Sequence, residues 1–186
     1  QKTAYEIPKR DWSSDVCSSD LTRQVLITLI EVASRGGNLL LNTGIRGDGS
    51  IEDRDRKVFD EIGIWMLRHK ESVVGVLPGF DIDFYGPVTR TADAIYLHLV
   101  MEPRERVVVR RIPLDRVAKV ELLSTGQNLE FSLNLEVHHR QKPGEERMGE
   151  LVIFTPPISG ALVEVLKDRK STRLNSSHVS ESRMPS

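Results

Sequence analysis

The 186-residue chain holds one cysteine, only 5% aromatic residues and no excess of either charge, with 26 Lys and Arg against 27 Asp and Glu. One cysteine excludes an internal disulfide framework and a cysteine-rich metal site. A net charge of -1 lacks the basic excess or stripe that a nucleic-acid binder uses. No apolar run approaches the roughly 20 residues that span a bilayer. Neither nucleic acid nor a membrane is therefore an expected partner. What is present is 39% hydrophobic residues, enough for a packed core in one or two domains of about 100 to 200 residues each.

Both ends differ in composition from the middle. Residues 11–21 (DWSSDVCSSDL) are rich in Ser and Asp, and residues 168–186 (DRKSTRLNSSHVSESRMPS) are polar and Ser/Arg-rich, without helical or strand periodicity. Both ends also closely resemble translations of a common short-read sequencing adapter, read on opposite strands. The inserts agree: codons ATT CCG AAA CGT encode Ile7 to Arg10, and their complement in another frame reads Val-Ser-Glu, the residues at 179–181. Residues 1–21 and 168–186 are accordingly expected to be adapter-derived and disordered, and to carry no fold information. That sets aside Trp12, Cys17 and His178. The remaining 146 residues hold 19 basic and 21 acidic side chains, for a net charge of -2.

Within residues 22–34, Val25, Leu26, Leu29, Ile30 and Ala33 fall on one broad helical face. Gly36 and Gly37 follow and suit a left-handed C-terminal cap. Residues 38–42 (NLLLN) read as a short strand buried on both faces of a parallel sheet. Residues 43–50 (TGIRGDGS) form a Gly-rich loop. Residues 51–70 predict a second helix, with Val58, Ile62, Trp65 and Met66 at helical spacing, acidic residues near its start and Arg68, His69 and Lys70 at its end. Helix, buried strand, loop and helix make up one α/β unit, which cannot bury its own faces. After residue 78, short segments at 94–101, 106–112, 117–123, 129–138, 150–155 and 161–166 are rich in Val, Leu and Ile and separated by turn residues. They predict an antiparallel β-sandwich over residues 94–167, joined by a linker at 78–93.

Ser34-Arg35-Gly36-Gly37-Asn38-Leu39-Leu40-Leu41-Asn42, then Asp48-Gly49, then Ile62-Gly63-Ile64-Trp65-Met66, resembles the last β/α unit of the α-L-fucosidases of glycoside hydrolase family 29. Gly86-Pro87-Val88-Thr89 and Ala94-Ile95-Tyr96 resemble the entry into that family's C-terminal sandwich. The chain departs from the family at Thr43-Gly44-Ile45, where Ile-Gly-Pro is usual, and at residues 69–74, which follow its Asn-Gly-Glu-Ala-Ile-Tyr stretch only loosely. The resemblance implies that residues 22–77 are the C-terminal remnant of a (β/α)8 barrel. It implies a retaining exo-hydrolase of terminal α-L-fucosyl linkages in glycoconjugates, with a fucosylated glycan as substrate and no cofactor. Family members are often secreted or lysosomal. The nucleophilic Asp and acid/base Glu of the family come from earlier strands and have no counterpart here, so this chain is expected to be inactive. Asn42 and Thr43 would face the mouth of the barrel, where Asn42 either lines the sugar site or hydrogen-bonds neighbouring loops.

Other signals have plainer readings. The glycines at 44, 47 and 49 lack the Gly-Lys-Ser/Thr of a phosphate loop and the spacing of a dinucleotide fingerprint. Arg46-Gly47-Asp48 is a three-residue match of the kind chance supplies. Glu52, Asp53, Asp55, Asp60 and Glu61 lack the ligand order of a calcium loop and suit a helix N-terminus. Adjacent His138 and His139 point to opposite faces of a strand, while His69 and His98 are each isolated in the sequence. No metal site is expected, and no serine sits in a nucleophile elbow.

Two further expectations follow. With one barrel unit, the helix faces at Val25/Leu29 and Ile62/Trp65, together with Leu39 to Leu41, lack partners. A non-catalytic alternative makes the sandwich a carbohydrate-binding or interaction module, which needs an exposed aromatic platform. The sandwich aromatics Tyr96, Phe131 and Phe154 are instead expected in its core.

Overall fold

The computed structural model describes residues 18–135, 147–158 and 163–170. Two helices come first, α1 (Ser18–Ser34) and α2 (Asp53–His69), followed by a 3-10 turn (Lys70–Ser72). Among the described residues nine strands follow: β1 (Leu77–Pro78), β2 (Val88–Arg90), β3 (Ala94–Leu99), β4 (Arg106–Pro113), β5 (Val117–Leu122), β6 (Gln127–Asn128), β7 (Phe131–Leu135), β8 (Met148–Phe154) and β9 (Glu164–Lys170). They form a six-stranded sheet in the order β1-β2-β3-β9-β5-β6 and a three-stranded sheet in the order β4-β8-β7, with antiparallel pairing between neighbours.

The two sheets enclose one core. Ile95, Leu97 and Leu99 of β3, Val120 and Leu122 of β5 and Leu166 of β9 meet Val107, Val109 and Ile112 of β4 and Leu151 and Ile153 of β8. The period of two along β3 sends its other residues, Ala94 and Tyr96, into a second core with Leu26, Ile30 and Ala33 of α1, Trp65 of α2, Val73, Val163 and Val165. The molecule is thus helices on sheet on sheet, and every residue of β3 is buried because both of its faces are covered.

The helix layer corrects one expectation. Both helix faces expected to lack partners are docked on the six-stranded sheet: Leu26 and Ile30 are fully buried, and the indole N–H of Trp65 donates to Val163 O at 2.7 Å. The apolar stripe finds a sheet face, and that burial, at roughly 25 cal/mol per Å2, holds it there. Thr22 Oγ1 donates to Glu61 Oε2 at 2.5 Å and Arg23 to Val100 O, tying α1 to α2 and to the end of β3.

Residues 38–42 do not form the expected strand. They run as irregular chain with Leu40 71% exposed. A parallel strand is held by neighbours on both sides, and among the described residues none lies alongside. Gly36 does terminate α1 as expected, at φ 73, with its N–H on Ala33 O at 2.9 Å and that of Gly37 on Val32 O at 2.8 Å.

Residues 78–93, expected as a linker, contain β2, which pairs with β3 from Val88↔Leu97 to Arg90↔Ile95. Gly86 permits this, since a Cβ there would lie 2.1 Å from His98 O. At the chain ends α1 begins at Ser18 and β9 continues to Lys170, so the ordered elements reach a few residues into both compositionally odd segments. Trp12, Cys17, His138, His139 and His178 lie outside the described residues. Of the sandwich aromatics, Tyr96 is buried, Phe131 is half-buried, and Phe154 is 45% exposed at the end of β8, contrary to the expected core position.

Candidate functional site

Asn42 and Thr43 lead from the irregular segment into the Gly-rich loop. Asn42 is exposed; Thr43 is half-buried, and its hydroxyl donates to an Asp55 carboxylate oxygen in the first turn of α2. The loop closes on itself: Ile45 and Ile51 form a bridge, Arg46 N–H donates to Ser50 O at 2.8 Å, and Gly49, at φ 82, donates to Arg46 O at 2.9 Å. The hydroxyl of Ser50 and its N–H, at 2.7 and 2.9 Å from Asp48 Oδ1, hold the Asp48 carboxyl below the usual carboxylate range. Ser50 thereby occupies part of the Asp48 carboxylate in Arg46-Gly47-Asp48.

The acidic residues of α2 serve the helix. Asp53 and Asp55 occupy its first turn, where the helix dipole favours negative charge, and Glu61 accepts from Thr22. The Thr43 hydroxyl is thus engaged with the Asp55 carboxylate. Among the described residues no group of three or more His, Cys, Asp or Glu side chains is placed to hold a metal.

The principal buried polar cluster lies elsewhere, and the sequence reading missed it by treating His69 and His98 separately. His69 ends α2, stacked on Trp65 one turn earlier with ring centroids 4.6 Å apart and planes 18° apart. Its Nδ1 lies 3.0 Å from Trp65 O and its Nε2 3.1 Å from Glu164 Oε1. Ser72 Oγ donates to His69 O at 2.8 Å, and Thr89 Oγ1 donates to Ser72 O at 2.6 Å. The Thr89 hydroxyl, its proton committed to Ser72, accepts from His98 Nε2 at 3.1 Å. This fixes the neutral His98 tautomer with Nδ1 bare. Burial, reinforced by the charge of His69, pushes His98 down to about 3.

Burial pushes Glu164 up, but hydrogen bonds from His69, the Val165 N–H and Ser124 more than offset it, so its carboxyl sits below its ordinary value. Beside the cluster, Lys167 Nζ pairs with Glu71 Oε1 at 2.6 Å and lies 5.5 Å from the Tyr96 ring centroid. The sequence signal for this cluster was present in the spacing, since His69 lies four residues after Trp65 and His98 sits in an otherwise apolar strand.

A cavity of about 170 Å3 opens at one end of the sandwich, lined by Phe80, Ile95, Arg111 and Ile112 among others. Arg111 sits at φ 58 in the bulge of β4 and pairs with Asp81 at 2.7 Å and Asp83 at 3.5 Å.

Residues 6–71 match the family model for α-L-fucosidase. Comparison with curated proteins gives no match. Solved α-L-fucosidases share the fold. The Thermotoga maritima enzyme in complex with fucose is 25% identical with a TM-score of 0.63, over 79% of this chain and 34% of that one. Isoenzyme 1 from Paenibacillus thiaminolyticus is 22% identical with a TM-score of 0.64, over 81% and 34%. The family 29 enzyme from Bacteroides thetaiotaomicron, trapped as a covalent intermediate, is 23% identical with a TM-score of 0.65, over 81% and 32%. The last two show the fold alone, and the chain spans about a third of the length of all three. The expected resemblance is thus borne out: the chain is similar to the α-L-fucosidases, in sequence over residues 6–71 and in fold over about four fifths of its length.

Proposed function

We propose that this chain is the C-terminal part of a retaining exo-α-L-fucosidase, residues 22–77 being the last unit of its catalytic barrel and residues 94–167 its accessory sandwich. The observation that carries the proposal is a coincidence of position. The family match at residues 6–71 covers both helices and the loop between them, and also residues 6–17 of the segment read as adapter; the fold match covers about four fifths of this chain and only a third of the solved enzyme. In this reading the irregular segment at 38–42 becomes the eighth barrel strand once a seventh and a first strand flank it, and Asn42 and Thr43 turn towards the sugar site.

Hydrolysis with retention requires a carboxylate nucleophile and a carboxylic acid about 5 to 5.5 Å apart. The trapped covalent intermediate of the Bacteroides enzyme supports retention for the relative, and retention is proposed for the parent of this chain by that analogy. Both carboxylates belong to the remainder of the barrel, so residues 18–170 bind no transition state and turn over no substrate. An assay with an aryl α-L-fucoside should give no turnover by this chain, and measurable turnover would overturn the inactivity. Sequencing the genomic locus upstream of codon 22 should reveal a continuous barrel reading frame with the catalytic Asp, and a stop codon or an unrelated frame would overturn the parentage. The adapter origin of residues 1–21 and 168–186 is tested by the same reads.

The exposure of Phe154, with Phe80 and Tyr85 also exposed, favours keeping a second reading, in which the sandwich itself binds carbohydrate. A glycan array probed with the whole chain tests it: specific binding lost in Phe154→Ala would support it, and an array with no specific signal would end it.

A further inference from the structure

We propose that the exposed face of α2 pairs two copies of this chain, antiparallel and about a two-fold axis that passes beside Ile64. The inference concerns the chain as it stands and does not rest on the fucosidase reading.

The helix carries a second apolar surface besides the one it docks on the sheet. Its buried residues are Val58, Trp65 and His69. On the side away from them Ile64 is 59% and Leu67 87% exposed, with Phe59 at the margin. Single apolar residues scattered over a surface need no explanation, but these are grouped. Asp60, Gly63, Ile64 and Leu67 stand at i, i+3, i+4 and i+7, the four corners of a hole for one side chain of a facing helix. Gly63 keeps that hole open, since a Cβ there would meet nothing within 4 Å.

Charge selects the occupant. When the facing helix is a second α2, laid antiparallel with its own Ile64 in the hole, the residue four places before Ile64 faces the residue four places after it. These are Asp60 and Arg68, both exposed and of opposite charge, and the two-fold axis makes the contact twice. Seven places out on either side, the same rule sets Lys57 against Glu71, whose carboxylate also meets Lys167 at 2.6 Å. A parallel pair would set Asp60 against Asp60 and Arg68 against Arg68. A partner of one charge sign would be drawn to one end of the face and repelled at the other. The antiparallel arrangement also opposes the two helix dipoles favourably. Within one chain Asp60 and Arg68 lie eight residues apart, about 12 Å along the helix axis, so they satisfy each other only between copies.

One helix face on each copy is a small contact, at the low end of specific interfaces, and the dissociation constant expected is about 100 µM. Below about 20 µM the chain is therefore mostly single, and unfolding there reads one copy.

Sedimentation equilibrium of the full chain at low salt, from about 10 µM to about 1 mM, tests the pairing. The expected result is a rise from one to two chain masses with no further growth. Ile64→Asp should remain single throughout. Asp60→Arg and Arg68→Asp, each placing like charges together at two symmetric contacts, should raise the dissociation constant about tenfold. The double variant Asp60→Arg/Arg68→Asp should return it to within about twofold of the parent. All three positions are exposed, so the fold tolerates the changes. A chain that stays single at every concentration would overturn the pairing and leave this face to residues outside the chain. An association indifferent to Ile64→Asp, or a double variant no tighter than the single ones, would overturn it as well.

Discussion

Leu26→Ala should destabilise the protein by about 3 to 4 kcal/mol, although the sequence by itself leaves the helix face around it without a partner. Leu26 is 0% exposed and shares a core with Trp65, Tyr96 and Val165. Truncation removes three carbons, about 2.4 kcal/mol of transfer free energy, and the void between α1 and the sheet adds the rest. The reference is Leu67→Ala in the same helix layer, where Leu67 is 87% exposed and the change should stay within about 0.5 kcal/mol. Urea unfolding followed by near-ultraviolet circular dichroism reads both. With a slope of about 2 kcal/mol per molar, Leu26→Ala should lower the midpoint by about 1.5 to 2 M, while Leu67→Ala leaves it within about 0.3 M. If the two midpoints agree within about 0.3 M, the helix layer is not docked on the six-stranded sheet, and the three-layer account fails.

Three further outcomes follow from the same contacts. His98 is held at about 3, below its ordinary 6.5, so the unfolded chain takes up its proton first. Its contribution to stability is complete above about pH 6.5 and falls by about 1.4 kcal/mol per pH unit as the pH drops towards 3. Urea midpoints between about pH 7 and pH 4 should fall less steeply in His98→Gln, and an unchanged slope would show that His98 is not buried in neutral form. Gly86→Ala forces a Cβ to within 2.1 Å of His98 O and should cost more than about 2 kcal/mol, whereas Gly63→Ala, with open space at the same position in α2, should add about 0.5 to 1 kcal/mol. Equal thermal midpoints for the two alanine variants would contradict the close approach at Gly86.

The two helices, the glycine cap of α1 and six of the nine strands were legible because each rests on a local signal: a helical stripe, a glycine able to adopt positive φ, or an apolar run between turn residues. Strands β1, β2 and β6 were not, because two or three residues give no period to read; their places are set by the neighbour each pairs with. At the candidate site, the sequence around Asn42 and Thr43 identified a loop and a resemblance, but the structure gives Asn42 no partner to read a role from and engages the Thr43 hydroxyl with Asp55. The cluster of His69, Glu164 and His98 escaped because His69 meets Glu164, 95 positions away, and Ser72 meets Thr89, 17 positions away, only after the helix layer is laid on the sheet.

Two apolar runs show how far local reading carries. Residues 94–99 (AIYLHL) and 38–42 (NLLLN) both lack the in-and-out alternation of a strand with one wet face, and both ask for cover on two sides. The first receives it, since the sandwich core takes Ile95, Leu97 and Leu99 and the helix layer takes Ala94 and Tyr96. Its failure to alternate was the one sequence sign that something more than a second sheet covers this strand. The second run receives no neighbouring strand among the described residues, and Leu40 stands exposed. The same pattern therefore yields a fully buried strand in one place and irregular chain in the other, and the difference lies in what the rest of the chain brings alongside. If the proposed barrel parentage holds, supplying neighbouring strands should convert 38–42 to strand without any change in its own residues. A longer chain that carries the preceding barrel units should protect the amides of Leu39, Leu40 and Leu41 from hydrogen exchange, while those of this chain exchange freely. Free exchange in both would locate the cause in the segment itself and sever it from the barrel.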